Sequence, residues 1–243
     1  MSAKLRKSDR TDTLKEYFER KNRYVKAGEL GQGGMAEVFE FRDQYFQRPV
    51  AYKTLKVQRR ERRHIAEFVR EARVMGQLEH PGVVTVHQLL KDPEGMPGIT
   101  MALAEGETLS VRIQKAEKNQ DSWLRSDRVN LFARLVEVVA YAHHERVVHR
   151  DLKPSNIIVG QHGEVTLLDW GLAKVVEKAE SVSEQDANTP AEEKPVYESL
   201  QGAIKGTPLY MSPEAAKGQT HLVNEMNDIF ALGVILFEML TCK

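Results

Sequence analysis

The chain has 243 residues, 41% of them hydrophobic, which suffices for the core of one large or two small domains. Its 35 basic and 35 acidic residues cancel, so no excess of positive charge points to nucleic acid or an anionic membrane surface. Cys242 is the single cysteine, which excludes an intrachain disulfide and a zinc cluster built on thiolates and fits a reducing cytoplasm.

Residues 1 to 23 are charged and weakly amphipathic around Leu14, Tyr17 and Phe18, and suggest a short leader helix. MSAKLRKSDR is followed by no apolar core of signal-peptide length, and the apolar run near residues 229 to 240 is too short to span a bilayer. No membrane segment and no internal repeat is expected. Strands are expected over residues 24 to 30, 36 to 42, 49 to 57, 83 to 90 and 99 to 103, broken by one helix from about 61 to 78. This describes a small antiparallel sheet with one helix.

The turn in LGQGGMAEVFEF holds Gly31, Gly33 and Gly34, with Ala36 where a phosphate-binding G-x-G-x-x-G has its last glycine. A dinucleotide fold would follow such a turn with a helix, but Glu37, Phe39 and Phe41 alternate with Val38 and Glu40, which is strand periodicity. The turn therefore reads as a hairpin tip. In PVAYKTLKV, Ala51, Lys53 and Leu55 share one strand face. In RRHIAEFVREARVMGQL, Glu71 falls on the apolar stripe of Phe68, Met75 and Leu78. A carboxylate there is costly without a cation, or else sits at the stripe's edge and reaches water; pairing with Lys53 would account for both residues.

EGETLS separates this half from a mainly helical one. SDRVNLFARLVEVVAYAHHE places Leu131, Leu135, Val138, Val139 and Ala142 at helical spacing, with Ser126 as a plausible N-cap. In VVHRDLKPSNIIVGQHGEVTLLDWGLA, residues 157 to 159 and 164 to 168 read as a hairpin, whose pairing brings Asn156 beside Asp169. One amide oxygen and one carboxylate suit magnesium, which shares its other positions with water and phosphate. Asp151 lies five residues before Asn156, with Lys153 between them, where a carboxylate could orient a hydroxyl and take its proton while the lysine offsets charge on a transferred group. Residues 177 to 198 carry seven acids and two lysines without apolar periodicity and read as a loop within the second domain.

The glycine loop, AYK, HRDLKPSN, DWG and GTPLYMSPE follow one another in the order of the protein-kinase signatures, from Tyr24 to the end of the chain. The sequence resembles the bacterial, eukaryotic-like Ser/Thr protein kinases. That resemblance implies an α+β, bilobal fold, with a small sheet lobe over residues 24 to 103 and a helical large lobe over 104 to 243 that includes an activation segment from 169 to 214. It implies that Lys53 binds the α- and β-phosphates of ATP and pairs with Glu71, that Asp151 is the catalytic base beside Lys153, and that Asn156 and Asp169 hold Mg2+. Leu30, Gly31, Gly33 and Gly34 would close over the nucleotide, and Val38, Ala51 and Ile158 would sandwich the adenine. Met101 would stand behind it, with the backbone of Ala102, Leu103 and Ala104 reading its edge. Lys153 and Thr207 match the Ser/Thr-specific forms of their loops, so the expected substrates are protein Ser and Thr hydroxyls, with Ser199 the leading candidate for self-phosphorylation ahead of Thr189 and Ser183, and Arg150 gripping the phosphate.

Ala36, Trp170 in place of the phenylalanine of D-F-G and Ser212 in place of the alanine of A-P-E depart from the usual pattern, and none removes a catalytic group. NDIFALGVILFEML is apolar on nearly every face and resembles the central helix of the large lobe, with Asp228 bracing the HRD loop. The helices expected to cover it do not follow, which implies a truncated product and an alternative role as an inactive, kinase-like ATP-binding scaffold. A kinase for small molecules is a third reading, disfavoured by GTPLYMSPE.

Overall fold

The computed structural model describes residues 23–32, 35–92, 95–118, 123–171, 173–175, 208–219 and 224–242. The leader, the tip glycines Gly33 and Gly34, Thr207 and the hydroxyls Ser183, Thr189 and Ser199 lie outside them.

Five strands, β1 (Tyr24–Gln32), β2 (Ala36–Asp43), β3 (Arg48–Leu55), β4 (Val86–Lys91) and β5 (Pro97–Ala102), form an antiparallel sheet in the order β1-β2-β3-β5-β4. The hairpin reading of the glycine turn holds, since Gly31 pairs with Val38 across it. Helix α1 (Arg62–Met75) packs on the sheet by placing Phe68 and Ala72 against Leu55 and Ile99. Its stripe at spacings of three and four supplies the apolar face, and the Gly76 N–H closes the last turn on Ala72.

The third and fourth strands are shorter than expected. The third strand stops at Leu55, and Val57–Arg59 is a 3-10 turn. Residues 83 to 85 leave the sheet because Val83 bridges instead to Leu167, and the Gly82 carbonyl accepts the Leu167 N–H at 2.7 Å. A Cβ at Gly82 would lie 2.2 Å from the Val138 side chain, so only glycine permits this approach of the two halves.

The rest is built on helices α2 (Leu109–Glu117) and α3 (Arg125–His144), strands β6 (Glu107–Thr108), β7 (Val147–Val148), β8 (Ile157–Val159), β9 (Val165–Leu167) and β10 (Lys174–Val175), the short α4 (Pro213–Ala216), and α5 (Glu225–Thr241). EGETLS is structured: Glu107 and Thr108 pair with β8, and the Thr108 hydroxyl caps α2 by accepting the Val111 N–H. Ser126 is not the N-cap of α3. The helix begins one residue earlier, where the N–H groups of Asp127 and Arg128 already reach the Leu124 carbonyl at 3.1 Å, and no side chain caps it.

The main core joins Leu131, Leu135, Val138 and Val139 of α3 to Ile235 and Met239 of α5 and to the β8–β9 hairpin. Helix α5 starts with an Asn224 capping box, and Arg128 donates to its last carbonyls, Met239 at 3.2 Å and Leu240 at 3.4 Å. One face of α5 is buried; Ile229, Phe230 and Phe237 on the other are exposed. Among the described residues, no helix is long and apolar enough to cross a membrane.

Candidate active site

The alternation of β3 places Lys53 between Val38 of β2 and Ile99 of β5 in the sheet register, on the same face as the buried Ala51 and Leu55. Glu71 is buried on α1, and its Oε1 lies 2.5 Å from the Lys53 ammonium. The edge alternative for Glu71 is thereby ruled out. Lys53 also reaches Asp169 Oδ1 at 3.3 Å. Burial disfavours the Lys53 cation, but the Glu71 and Asp169 carboxylates outweigh it and hold its pKa above the usual lysine value. Burial pushes Glu71 up against the pull of Lys53, whereas Asp169, despite the same penalty, is held below the usual carboxylate range by Lys53.

The second half of the site follows β7. Arg150 adopts a left-handed backbone, φ 70°, that an arginine holds only where its surroundings demand it. The demand comes from Asp228 on α5, 1% exposed, whose Oδ2 accepts the His149 N–H and whose Oδ1 accepts the Arg150 N–H, both at 2.8 Å. His143 Nε2 lies at 2.8 Å from the same carboxylate. The bracing role implied for Asp228 is thus visible as geometry.

Beyond this bend, the Asp151 carboxylate lies 2.6 Å from the Lys153 ammonium. The Asn156 amide donates to the Asp151 carbonyl at 3.0 Å and to its Oδ2 at 3.3 Å. The β8–β9 hairpin forms as expected, and the Leu168 N–H donates to the Asn156 carbonyl at 2.8 Å, which sets Asp169 just past Asn156 across the hairpin. Asp169 has φ 59°, another left-handed residue, and is 48% exposed on its side chain, which leaves it open to a ligand.

His149, which sequence reasoning passed over, and Trp170 hold these parts together. His149 accepts the Asp151 N–H on Nδ1 at 3.2 Å, so the proton sits on Nε2, which donates to the Leu168 carbonyl at 3.0 Å. Trp170 is buried with its ring edge-on to His149, centroids 4.7 Å apart. The signal was present, since His149 stands between Val148 and Asp151 in the very loop singled out. Arg70 of α1 adds a further tie by donating to the Ala173 carbonyl at 2.6 Å.

Around the cleft, Ala51 and Met101 are buried in the main core and Val38 packs against it, while Ile158 is half-buried on β8. Leu30 and Gly31 are exposed at the hairpin. The Ala102 N–H is already donated to the Thr85 carbonyl at 2.9 Å, so this donor does not face the cleft; Leu103 and Ala104 are half-buried beside it. For a divalent cation, the half-exposed Asp169 carboxylate and the Asn156 amide oxygen, the terminal atom not turned to Asp151, are hard oxygen donors. Two such donors suit an ion that keeps water and phosphate ligands, so these residues fit magnesium.

A small antiparallel sheet with one helix joined to a mainly helical half, with the Lys53–Glu71 pair bonded to Asp169 and Asp169 set beside the Asp-Lys-Asn loop, is the bilobal α+β architecture that the sequence resemblance implied. The protein kinase domain model matches residues 24–243, and the chain belongs to that family. It is similar to the serine/threonine-protein kinase PknD of Protochlamydia amoebophila (strain UWE25), 37% identical over 225 residues, 88% of this chain and 22% of that protein. It is also similar to PknD of Chlamydia trachomatis serovar D, 35% identical over 225 residues (87% of this chain, 24% of that one), and to PknD of Chlamydia felis, 36% over 223 residues (87% and 23%). The chain spans about a quarter of the length of these curated relatives.

Proposed function

We propose that this chain is an ATP- and Mg2+-dependent serine/threonine protein kinase acting in bacterial cytoplasmic signalling. The observation that carries the reading is Lys53, bonded at once to Glu71 at 2.5 Å and Asp169 at 3.3 Å, in a fold that also pairs Asp151 with Lys153 at 2.6 Å. In this reading the Lys53 charge and the hydroxyl-orienting Asp151 carboxylate act on one phosphoryl group, with Val38, Ala51 and Met101 supplying apolar surface beside Lys53 in the sheet.

In this reading the small lobe runs from residue 24 to 103 and the large lobe from 104 onward. Val38, Ala51 and Ile158 sandwich the adenine, with Leu103 and Ala104 at its edge, and Leu30 and the glycines of the hairpin cover the phosphates. Lys53 meets the α- and β-phosphates, held in place by Glu71. Asp151 accepts a hydrogen bond from the attacking Ser or Thr hydroxyl and takes its proton as the new P–O bond forms and the bond to the β-phosphate oxygen breaks. Lys153 offsets negative charge on the transferred group. Asn156 and Asp169 would hold magnesium, which neutralises charge on the phosphates when bound.

Incubation of the chain with labelled ATP, magnesium and generic protein substrates tests this directly. Label is expected on serine and threonine. Bound ATP with no label transferred to any protein contradicts the reading and favours an ATP-binding scaffold.

A further inference from the structure

Ser212 stands where the family usually has alanine, and the residue is 4% exposed. It accepts the N–H of Ala215, capping α4, and it accepts the side-chain amide of Asn227, 8% exposed at the start of α5. Asn227 cannot turn away, because its own oxygen accepts the Asn224 N–H at 2.8 Å while the Asn224 side chain accepts from Met226 at 3.0 Å. One residue further, Asp228 holds the left-handed backbone of Arg150 that precedes Asp151. Residues 210 to 212, the start of α5 and the catalytic loop meet around a cavity of about 20 Å³, lined among others by Asp151, Tyr210, Ser212, Asn227 and Asp228.

We propose that Ser212 and Asn227 form a positioning pair that fixes the PLYMSPE segment, residues 208 to 214, in register with the catalytic loop, acting through Asp228 on the backbone that carries Asp151. Alanine at 212 removes the acceptor and leaves a buried amide unsatisfied. The strain falls on the first turn of α5, because the other side of Asn227 is committed to the cap. The segment remains attached, since Tyr210 Oη separately bonds both oxygens of Glu238 at 3.0 and 3.1 Å, so the variant shifts the segment without releasing it. The kinetic part of the test rests on the kinase reading; the exchange part does not.

The test compares Ser212→Ala, Ser212→Thr, Asn227→Ala and the double alanine variant in the 243-residue chain, each shown folded by circular dichroism. Hydrogen exchange at the His149 and Arg150 amides is expected to accelerate about tenfold in Ser212→Ala, the scale of one buried hydrogen bond, and to return to the wild-type rate in Ser212→Thr. The double variant should exchange like Asn227→Ala alone, because both substitutions break one connection. In phosphorylation assays kcat for a peptide should fall about tenfold with KM for ATP within about twofold of wild type, a split that general loss of folded protein would not give. Unchanged exchange at these amides in Ser212→Ala, or multiplicative effects of the two substitutions, overturns the pair. A wild-type chain that transfers no phosphate overturns the kinase reading instead, and the exchange result still decides the pair.

Discussion

Glu71 and Asp228 are both buried carboxylates, and each answers its burial differently. Glu71 has a lysine from another element, reached through a four-carbon stem across the gap between α1 and β3. Asp228 has two main-chain N–H groups and an imidazole, all within 2.8 Å. A side-chain pair separates when the helix shifts, whereas a carboxylate bonded to the backbone it braces is released only by rebuilding that loop. The small-lobe half of the site is therefore adjustable, and the large-lobe half is fixed in place.

Substitutions should separate the two arrangements. Asp228→Ala orphans both N–H groups and removes the constraint on Arg150, and should cost about 1–3 kcal/mol for each donor left unsatisfied, read from urea unfolding. A loss below about 1 kcal/mol would mean that the loop holds its bend without help. Lys53→Met leaves Glu71 buried and unpaired, at a cost of about 3–5 kcal/mol at neutral pH. Burial already raises the Glu71 pKa, so in that variant the penalty applies above the raised value and is relieved as pH falls through it. Urea midpoints that keep the same deficit at acid and neutral pH would contradict an unpaired carboxylate.

Asp169 has the opposite sign. Its pKa in the folded protein lies below the ordinary 3.8, so its contribution to stability is complete above that pH and disappears as pH falls through the lowered value. The difference in melting temperature between wild type and Asp169→Asn should therefore shrink only in strong acid. Ser126→Ala sharpens the comparison from the other end: its hydroxyl caps no helix and donates to Asp127 at 3.4 Å on the exposed start of α3, so unfolding should change by less than about 0.5 kcal/mol.

Much of this was legible from local pattern. A carboxylate on an apolar helix stripe and a lysine among buried strand positions each needed a partner, and pairing them required only that helix pack on sheet. The short hairpin likewise fixed the neighbourhood of Asn156 and Asp169 by register. What stayed hidden depends on long-range contact. The tie of Tyr210 to Glu238 and that of Ser212 to Asn227 join residues far apart in sequence, with no periodicity to announce them. Ser126 misled because a capping residue marks a helix start only to within a turn, and backbone bonds to Leu124 won the position. The engaged Ala102 N–H could not be read from sequence, since the Thr85 carbonyl comes from a segment expected to be strand.

The most direct test of the account is the Asp151→Ala variant, assayed for ATP binding and for phosphate transfer to protein beside the wild type. The site as described predicts that both bind ATP with similar affinity, while transfer in the variant falls about 10²–10⁴-fold, the range for loss of a positioned base. Equal transfer by the two, or equal inertness with ATP still bound, would contradict a catalytic role for the Asp151 loop.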